Sequence, residues 1–330
     1  MRREDRDLMD GGLGLDEASE LAHALVARVL ADAGIRSLFL KGPVATRQGL
    51  RPPQTSTDVD VLCDPGRIAR AESAFDALGW ERYHGRDSDM RAIRMHATTY
   101  CIPGWPCTVD VHNHFPGLLA PAQEAFEHLW ADRVEVDLAH RPVPTPCPED
   151  HFVVLGVHLL RGLAEDGEAS AVELVCTAWD GLGPTAQARV PDRARALGAV
   201  ETLRPLIESL GADIGPLDER FEEALGYWRL HRARPGDPGV VWAERWRRST
   251  WRHRPELVAR AFWDISMDNT RTPQQWAAAT RFERAAGRVR RAGRGLRATP
   301  AAVRAILASW SARRERRAVE PTNGVGTDRQ

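Results

Sequence analysis

The chain has 330 residues, 43% of them hydrophobic, which favours two modest folded domains or one domain with a helical extension. No apolar run approaches the roughly 20 residues that span a bilayer, so we expect no transmembrane segment. The N-terminus lacks the apolar core of a signal peptide, so we expect a cytoplasmic protein. Five cysteines without a Cys-x-x-Cys pair argue against a disulfide framework and a structural zinc site.

The basic residues are unusual in type and in distribution. Of the 45 basic residues, one is a lysine, Lys41, and the rest are arginine. Either this lysine survives by chance or it marks a position where a compact ammonium is needed. The net charge of −1 conceals a basic segment, because residues 281–320 carry twelve arginines and three glutamates. That segment has a net charge of +9, which leaves −10 for the remainder of the chain.

Helices and strands alternate in the first 147 residues. Residues 1–15 are charged and glycine-rich, and we predict a flexible N-terminus. Periodicity and turn residues then predict helices over 16–33, 64–79 and 121–130, a helix that starts at Pro43, and strands over 37–40, 58–62, 91–102, 108–114 and 133–137. Four prolines, at positions 142, 144, 146 and 148, indicate a stiff connector after the last strand.

Beyond the connector the pattern is helical and strand signals nearly vanish. Helices are predicted over 151–163, 169–179, 185–197, 201–210, 217–230 and 242–263. We therefore predict an α/β (α+β) fold class, in which a domain with a small mixed sheet over 16–147 precedes an all-helical domain over 148–280. An Arg-rich helical tail over 281–330 completes the predicted chain.

Two acidic strands carry the predicted chemistry. Asp58 and Asp60 are two residues apart on one strand, so their carboxylates point to the same face, roughly 7 Å apart. Asp110 alternates with valines in a later strand, and the three carboxylates converge if the two strands are neighbours. Such a cluster repels itself unless divalent cations neutralise it, and oxygen ligands suit Mg²⁺. We therefore predict that Asp58, Asp60 and Asp110 bind two Mg²⁺ ions, rather than forming a solvated strand face.

A turn before these strands predicts a phosphate site. The buried strand over 37–40 runs directly into Lys41 and Gly42, where a helix is predicted to begin. Backbone N–H groups at such a turn attract phosphate oxygens, and the ammonium of Lys41 adds a point charge. An anion-binding turn beside a cation-binding patch suits a metal–triphosphate substrate.

The order of these motifs resembles the uncharacterised nucleotidyltransferase-like family of the DNA polymerase beta superfamily. The shared motifs are the Leu-Lys-Gly turn, Asp-Val-Asp-Val-Leu, a helix ending in Leu-Gly-Trp, Val-Asp-Val-His, and Pro148-Glu149-Asp150 followed by His158. The resemblance covers about residues 17–165 and implies a nucleotidyltransferase fold. It also implies that Asp58 and Asp60 bind both metals, that Asp110 binds the catalytic metal and helps to activate the acceptor, and that Lys41 and Gly42 contact the triphosphate.

One departure from the family pattern concerns the nucleotide. The family usually carries an arginine about four residues before the first aspartate, where this chain has Gln54, and Arg51 lies seven residues before it. We assign Arg51 to the nucleotide. His112 shares the face of Asp110. It has a functional role, in which it orients a carboxylate or contacts the acceptor, or it is a structural histidine that is hydrogen-bonded at the end of the strand.

The predicted activity is Mg²⁺-dependent transfer of a nucleoside monophosphate from an NTP, such as ATP, to an acceptor, with release of pyrophosphate. The acceptor is a small molecule, a peptide, a protein side chain or a tRNA end. Alternatives are a tRNA-modifying toxin that grips RNA through residues 281–320, a non-catalytic NTP-binding scaffold, and a metal-dependent phosphohydrolase. We interpret His151 as a packing residue and the tryptophans over 228–276 as core.

Overall fold

The chain forms two compact units, Met1–Trp228 and Arg229–Gln330. The computed structural model describes residues 14–82, 96–162, 168–216, 218–233, 249–263, 279–290, 293, 297 and 300. The predicted flexible N-terminus lies outside the described residues, except for its last two positions. Most of the Arg-rich tail is also outside them, and the predicted domain boundaries stay predictions.

A five-stranded mixed sheet organises the first unit. Its strands are β1 (Ser37–Leu40), β2 (Asp58–Cys63), β3 (Glu81–Arg82), β4 (Ala97–Cys101) and β5 (Thr108–His112). They lie in the order β1-β2-β5-β4-β3, with β2 and β5 parallel and the other neighbours antiparallel. The mixed sheet of the predicted fold class is confirmed.

Alternation along β2 and β5 separates a core face from an acidic face. Val59, Val61, Val109 and Val111 are buried and pack into a core with α1 (Leu15–Asp32) and the helix that follows β2. Each buried side chain of this kind contributes roughly 1.5–3 kcal/mol to stability. The opposite face carries the aspartates, because successive side chains of a strand point to opposite sides.

Helices flank this sheet and its connections. They are α2 (Gly42–Arg47), α3 (Ile68–Ala77) and α4 (Ala122–Ala131). A 3-10 turn over Pro65–Arg67 precedes α3, and the Asp64 carboxylate accepts a hydrogen bond from the Gly66 N–H there. The predicted single helix over 64–79 therefore begins as a 3-10 turn.

The proline connector predicted over 142–148 is wrong for its first part. Residues Arg141–Thr145 form β7, which pairs antiparallel with β6 (Val134–Leu138). Val143 and Thr145 of β7 are fully buried, and the two prolines of this strand alternate with them. In a two-stranded antiparallel sheet each strand has one neighbour, so only alternate residues donate hydrogen bonds to it. Proline is tolerated at the positions between them.

The helices that follow β7 begin at Pro148. Its helices are α5 (Pro148–Gly162), α6 (Glu168–Gln187), α7 (Val190–Ala196), α8 (Val200–Ser209) and α9 (Glu222–Ala233), and α9 contains the boundary between the units. Helix α10 (Arg254–Trp263) and residues 281–290 belong to the second unit. Among the described residues, no helix has the length and apolar character needed to cross a lipid bilayer.

Two predicted helices differ from the observed ones. The helix predicted over 185–197 is divided, because α6 continues through a kink at Gly183 and Pro184 and α7 starts at Val190. The helix predicted over 242–263 is wrong at residues 249–253, which form a bend and a turn before α10. Pro255 is the second residue of α10, where proline needs no N–H partner, whereas the interior of the longer predicted helix would require one.

Candidate active site

The Lys41–Gly42 turn connects β1 to α2. Lys41 has φ 58° and ψ −147°, and Gly42 has φ 42°. A Cβ added to Gly42 would lie 3.2 Å from Ser56 Oγ and 3.5 Å from His23 Nε2, so glycine fits both the conformation and the space. Helix α2 has only six residues, so its dipole is small.

Asp60 lies at the centre of the site and is only 3% exposed. The ammonium of Lys41 is 2.6 Å from its Oδ2, and Nε2 of His112 is 2.8 Å from its Oδ1. Since a carboxylate accepts, His112 donates from Nε2. Burial by itself would raise the pKa of the Asp60 carboxyl, but the hydrogen bond from His112 and the ammonium of Lys41 hold it far below its usual value.

Asp110 lies directly opposite Asp60, because β2 and β5 pair in parallel with these two residues in register. Thr99 of β4, the cross-strand partner on the other side, donates from Oγ1 to Asp110 Oδ1 at 2.6 Å. Thr99 therefore orients this carboxylate from the neighbouring strand.

One ligand atom from each of Asp60, Asp110 and His112 lies within 4.8 Å of the other two. Carboxylate oxygens suit Mg²⁺, so Asp60 and Asp110 fit the metal that the sequence predicts, whereas the His112 imidazole donates to Asp60 and adds no oxygen ligand. Asp58, which the sequence also assigns to the metals, is not in this compact group, although it shares the face of Asp60.

Asp58 occupies a different electrostatic environment. Burial and the charge of Asp60 raise the pKa of the Asp58 carboxyl, against the opposing effect of Lys41. The Ser56 hydroxyl lies 3.0 Å from the Asp58 carbonyl and 3.3 Å from Oδ1. This environment therefore disfavours a second charged carboxylate beside Asp60.

Arg51 lies near Asp58 and interacts with it electrostatically. Its guanidinium donates to the backbone oxygen of Gln54 at 3.2 Å and to the side-chain oxygen at 3.1 Å. Burial lowers the pKa of Arg51, and the charge of Asp58 opposes that effect. Arg51 is thus folded against Gln54, the residue that occupies the usual arginine position of the family pattern.

A family model of uncharacterised nucleotidyltransferases matches residues 18–203, more than half of the chain. The chain belongs to this family. The prediction of a nucleotidyltransferase from the motif order is confirmed. The matched residues include the Lys41–Gly42 turn, both acidic strands and α5. No curated protein matches the sequence.

Two solved structures are similar to this nucleotidyltransferase family member. One is the antibiotic-resistance factor ANT(2'')-Ia, at 13% identity and a TM-score of 0.37 over 59% of this chain and 96% of that one. The other is an antigenic nucleotidyltransferase-like protein from Paracoccidioides brasiliensis, at 13% identity and a TM-score of 0.36 over 62% of this chain and 96% of that one.

His158 of α5 lies on the helical side of the site. Its ring is 6.3 Å from that of Phe115, and its Nδ1 is buried without a hydrogen-bond partner among the described residues. Burial, with the nearby charge of Lys41, lowers the pKa of His158 to about 3. The neutral imidazole therefore offers a hydrogen-bonding group rather than a positive charge.

Sequence reasoning missed three polar residues that support the site. Thr99 holds Asp110, Ser56 contacts Asp58, and His151 accepts from the backbone of Lys41. Ser56 had a local signal, since it precedes Asp58 by two residues. Thr99 and His151 had none, because only strand register and helix packing bring them to their partners.

The described residues include little of the Arg-rich tail and of the tryptophan-rich region, so the structure does not test RNA binding. Trp242, Trp246 and the arginines between them lie outside the described residues, as do 301–320 of the tail. Trp228 is buried, in agreement with its interpretation as core. That interpretation is wrong for Trp251, which lies in the turn before α10 and is 73% exposed.

Proposed function

We propose that this protein is a Mg²⁺-dependent nucleotidyltransferase that transfers a nucleoside monophosphate from an NTP, with ATP as the first candidate, to an acceptor nucleophile. The observation that carries the proposal is the pairing of Asp60 with Asp110 across neighbouring parallel strands, with Lys41 at Asp60. The membership of a nucleotidyltransferase family supports the reaction type.

We assign Asp58, Asp60 and Asp110 to two Mg²⁺ ions, with His112 as an orienting partner of Asp60. Divalent cations, when bound, would neutralise triphosphate charge and favour in-line displacement at the α-phosphorus. The raised pKa of Asp58 supports this assignment, because burial and the charge of Asp60 leave that carboxylate poorly compensated in the protein alone.

Lys41, Gly42 and Arg51 are assigned to the nucleotide. The Lys41 ammonium neutralises Asp60 in the unliganded protein, and the proposal requires it to move to a phosphate oxygen when the nucleotide arrives. Gly42 has a positive φ and a Cβ there would crowd Ser56 Oγ at 3.2 Å, so glycine suits this turn, and we propose that its backbone faces the phosphate oxygens.

The proposed step balances without a redox partner. The acceptor oxygen or nitrogen forms a bond to the α-phosphorus, and the bond from that phosphorus to the bridging oxygen of the β-phosphate breaks. Pyrophosphate leaves, and the acceptor proton passes to Asp110 and then to solvent. Thr99 keeps the Asp110 carboxylate oriented for this role.

We propose a small molecule, a peptide or a protein as the acceptor, and the cytoplasm as the location of the reaction. The test incubates the purified protein with α-³²P-labelled NTPs, Mg²⁺ and fractions of a cell extract. We expect pyrophosphate release and label in one fraction, with neither in the Asp110→Asn variant. Label in RNA would favour the tRNA-modifying toxin.

Two results would contradict the proposal. Release of γ-phosphate as inorganic phosphate without any acceptor would identify a phosphohydrolase. Saturable NTP binding without pyrophosphate release in any fraction would identify a non-catalytic binding module. Cell fractionation with an antibody to the protein tests the proposed location.

A further inference from the structure

His151 lies in the first part of α5 and is completely buried. Its Nε2 accepts a hydrogen bond of 2.8 Å from the backbone N–H of Lys41, 110 residues away in sequence. Because an amide N–H can only donate, Nε2 must carry the lone pair. The proton of the neutral ring therefore sits on Nδ1.

The second ring nitrogen is held as well. Nδ1 lies 2.5 Å from Oε1 of Gln48, so the N–H donates to that oxygen. Gln48 in turn donates from Nε2 to the carbonyl of Pro146 at 2.8 Å, which orients its amide with the oxygen toward His151. The chain of hydrogen bonds from Pro146 through Gln48 and His151 to Lys41 is therefore directional and internally consistent.

The imidazole is kept in its neutral, accepting form. Burial lowers the pKa of His151 to about 3, and the Lys41 ammonium acts in the same direction, against the charge of Asp60. At neutral pH the Nε2 lone pair therefore remains available to Lys41.

The backbone of Lys41 requires such a restraint. Its φ of 58° and ψ of −147° are rare for a residue with a side chain, and such conformations persist only where surrounding contacts impose them. Its carbonyl accepts from the Ala45 N–H at 3.0 Å, so α2 restrains one backbone group and His151 restrains the other.

We propose that His151 is a positioning residue that fixes the backbone of Lys41 and so directs the only ammonium side chain of the protein to Asp60. Its catalytic consequence rests on the proposed function, in which the same ammonium contacts the triphosphate. The structural part of the inference does not require that function.

Two substitutions with side chains of different length distinguish the roles of the two ring nitrogens of His151. His151→Gln extends an amide oxygen toward the position of Nε2 and retains an acceptor for Lys41. His151→Asn reaches only the position of Nδ1, so it retains a partner for Gln48 and leaves the Lys41 N–H buried without an acceptor. Both variants remove the ring, so a role limited to packing predicts similar effects for the two.

The single lysine makes a direct measurement simple. Uniform ¹⁵N-lysine labelling of the full chain produces one backbone amide signal and one ammonium signal, both from Lys41. In nucleotide-free protein we expect slow amide exchange in the native protein and in His151→Gln. In His151→Asn we expect exchange at least about tenfold faster, the factor that corresponds to a lost buried hydrogen bond.

The nucleotide measurement adds a second readout. We expect His151→Asn to raise KM for Mg–NTP by about tenfold or more, while His151→Gln recovers most of the affinity. If the native protein releases no pyrophosphate with any acceptor, the proposed function fails. The exchange measurement would still decide the role of His151, so the two failures are distinguishable.

Equal amide exchange in native protein and His151→Asn would overturn the inference, as would equal loss in both His151 variants. Gln48→Met provides an independent test if His151→Asn does not fold, because it removes the Nδ1 partner at a half-buried position. We expect faster Lys41 exchange in Gln48→Met than in native protein, and unchanged exchange there would also overturn the inference.

Discussion

The ammonium of Lys41 lies 2.6 Å from Oδ2 of Asp60, at the point where β1 ends and beside the start of β2. The only lysine of an arginine-rich chain thus compensates the most deeply buried of the predicted catalytic carboxylates. A guanidinium is larger and planar, so arginine would not reproduce the compact contact of this ammonium with Asp60.

Lys41 substitutions test this ion pair. We expect Lys41→Met to lower kcat/KM for Mg–NTP by roughly 100-fold, because a phosphate contact and an orienting charge are lost together. The same variant should bind Mn²⁺ more tightly without nucleotide, since the competing ammonium is gone, and calorimetry measures that affinity. Lys41→Arg should also impair turnover.

Arg47→Met is the matched control for Lys41→Met. It removes a cation from α2, the short helix that Lys41 precedes, but its side chain is exposed and pairs with Glu20. We expect both activity and Mn²⁺ affinity to remain near native values. Equal effects of Lys41→Met and Arg47→Met would contradict a specific role for Lys41.

The acidic residues are tested by Asp58→Asn, Asp60→Asn and Asp110→Asn. We expect each to lower turnover by at least about 100-fold, since changes even in outer partners of metal ligands cost about 10–100-fold. Pyrophosphate release with saturating NTP measures the loss. Asp137→Asn, on the exposed side of β6, is the control and should retain native activity.

Two of these substitutions should move stability in opposite directions at pH 7. The raised pKa of Asp58 means that folding disfavours its charge, so Asp58→Asn should increase the urea midpoint. The lowered pKa of Asp60 means that folding favours its charge, so Asp60→Asn should decrease the midpoint. A stabilised but inactive Asp58→Asn protein is the signature of a residue retained for function.

His23 predicts a dependence of stability on pH. It is fully buried, its Nδ1 donates to the carbonyl of Ser19 at 2.7 Å, and burial lowers its pKa to about 4, against that hydrogen bond and the charges of Asp60 and Glu20. Between pH 6.5 and 4 the unfolded chain binds a proton here and the native chain does not. The free energy of unfolding should therefore fall with decreasing pH, by up to about 1.4 kcal/mol per pH unit for this residue.

Urea titrations at pH 7.5 and 5.5 measure this effect. His23→Asn keeps a donor for Ser19 and should reduce the pH dependence by close to one proton. His140→Asn is the control, because His140 is exposed and has a positive φ that asparagine tolerates. An unchanged pH dependence in His23→Asn would show that His23 is not the titrating group.

Alanine substitutions at Gly198 and Gly211 distinguish the cost of backbone strain from the cost of close packing. Both have positive φ, 66° and 74°, so alanine costs roughly 1–2 kcal/mol at either position. A Cβ at Gly198 would lie 2.7 Å from the Ala120 backbone nitrogen, whereas one at Gly211 would meet no atom within 4 Å. We expect the free energy of unfolding of Gly198→Ala to be lower than that of Gly211→Ala by about 1–3 kcal/mol. Equal losses in urea unfolding would contradict the close approach.

The sequence by itself determined the elements that depend on local rules. Alternation in Asp58–Leu62 and around Asp110 predicted two strands with acidic faces, and the Lys41–Gly42 turn followed from a strand that runs into a glycine. The fold class and the family that these motifs predict are confirmed. They could be predicted because hydrophobic pattern and turn chemistry are properties of neighbouring residues. The roles assigned to Arg51, His112 and the three aspartates stay predictions.

Tertiary structure decided which residues meet. The in-register pairing of Asp60 with Asp110, the support of Asp110 by Thr99 and the hydrogen bond from Lys41 to His151 join residues that are far apart in the chain. The strand at Arg141–Thr145 was missed because proline opposes it locally, and burial of Val143 and Thr145 outweighs that preference. Strand order, register and helix docking depend on burying the whole core at once, and no local spacing specifies them.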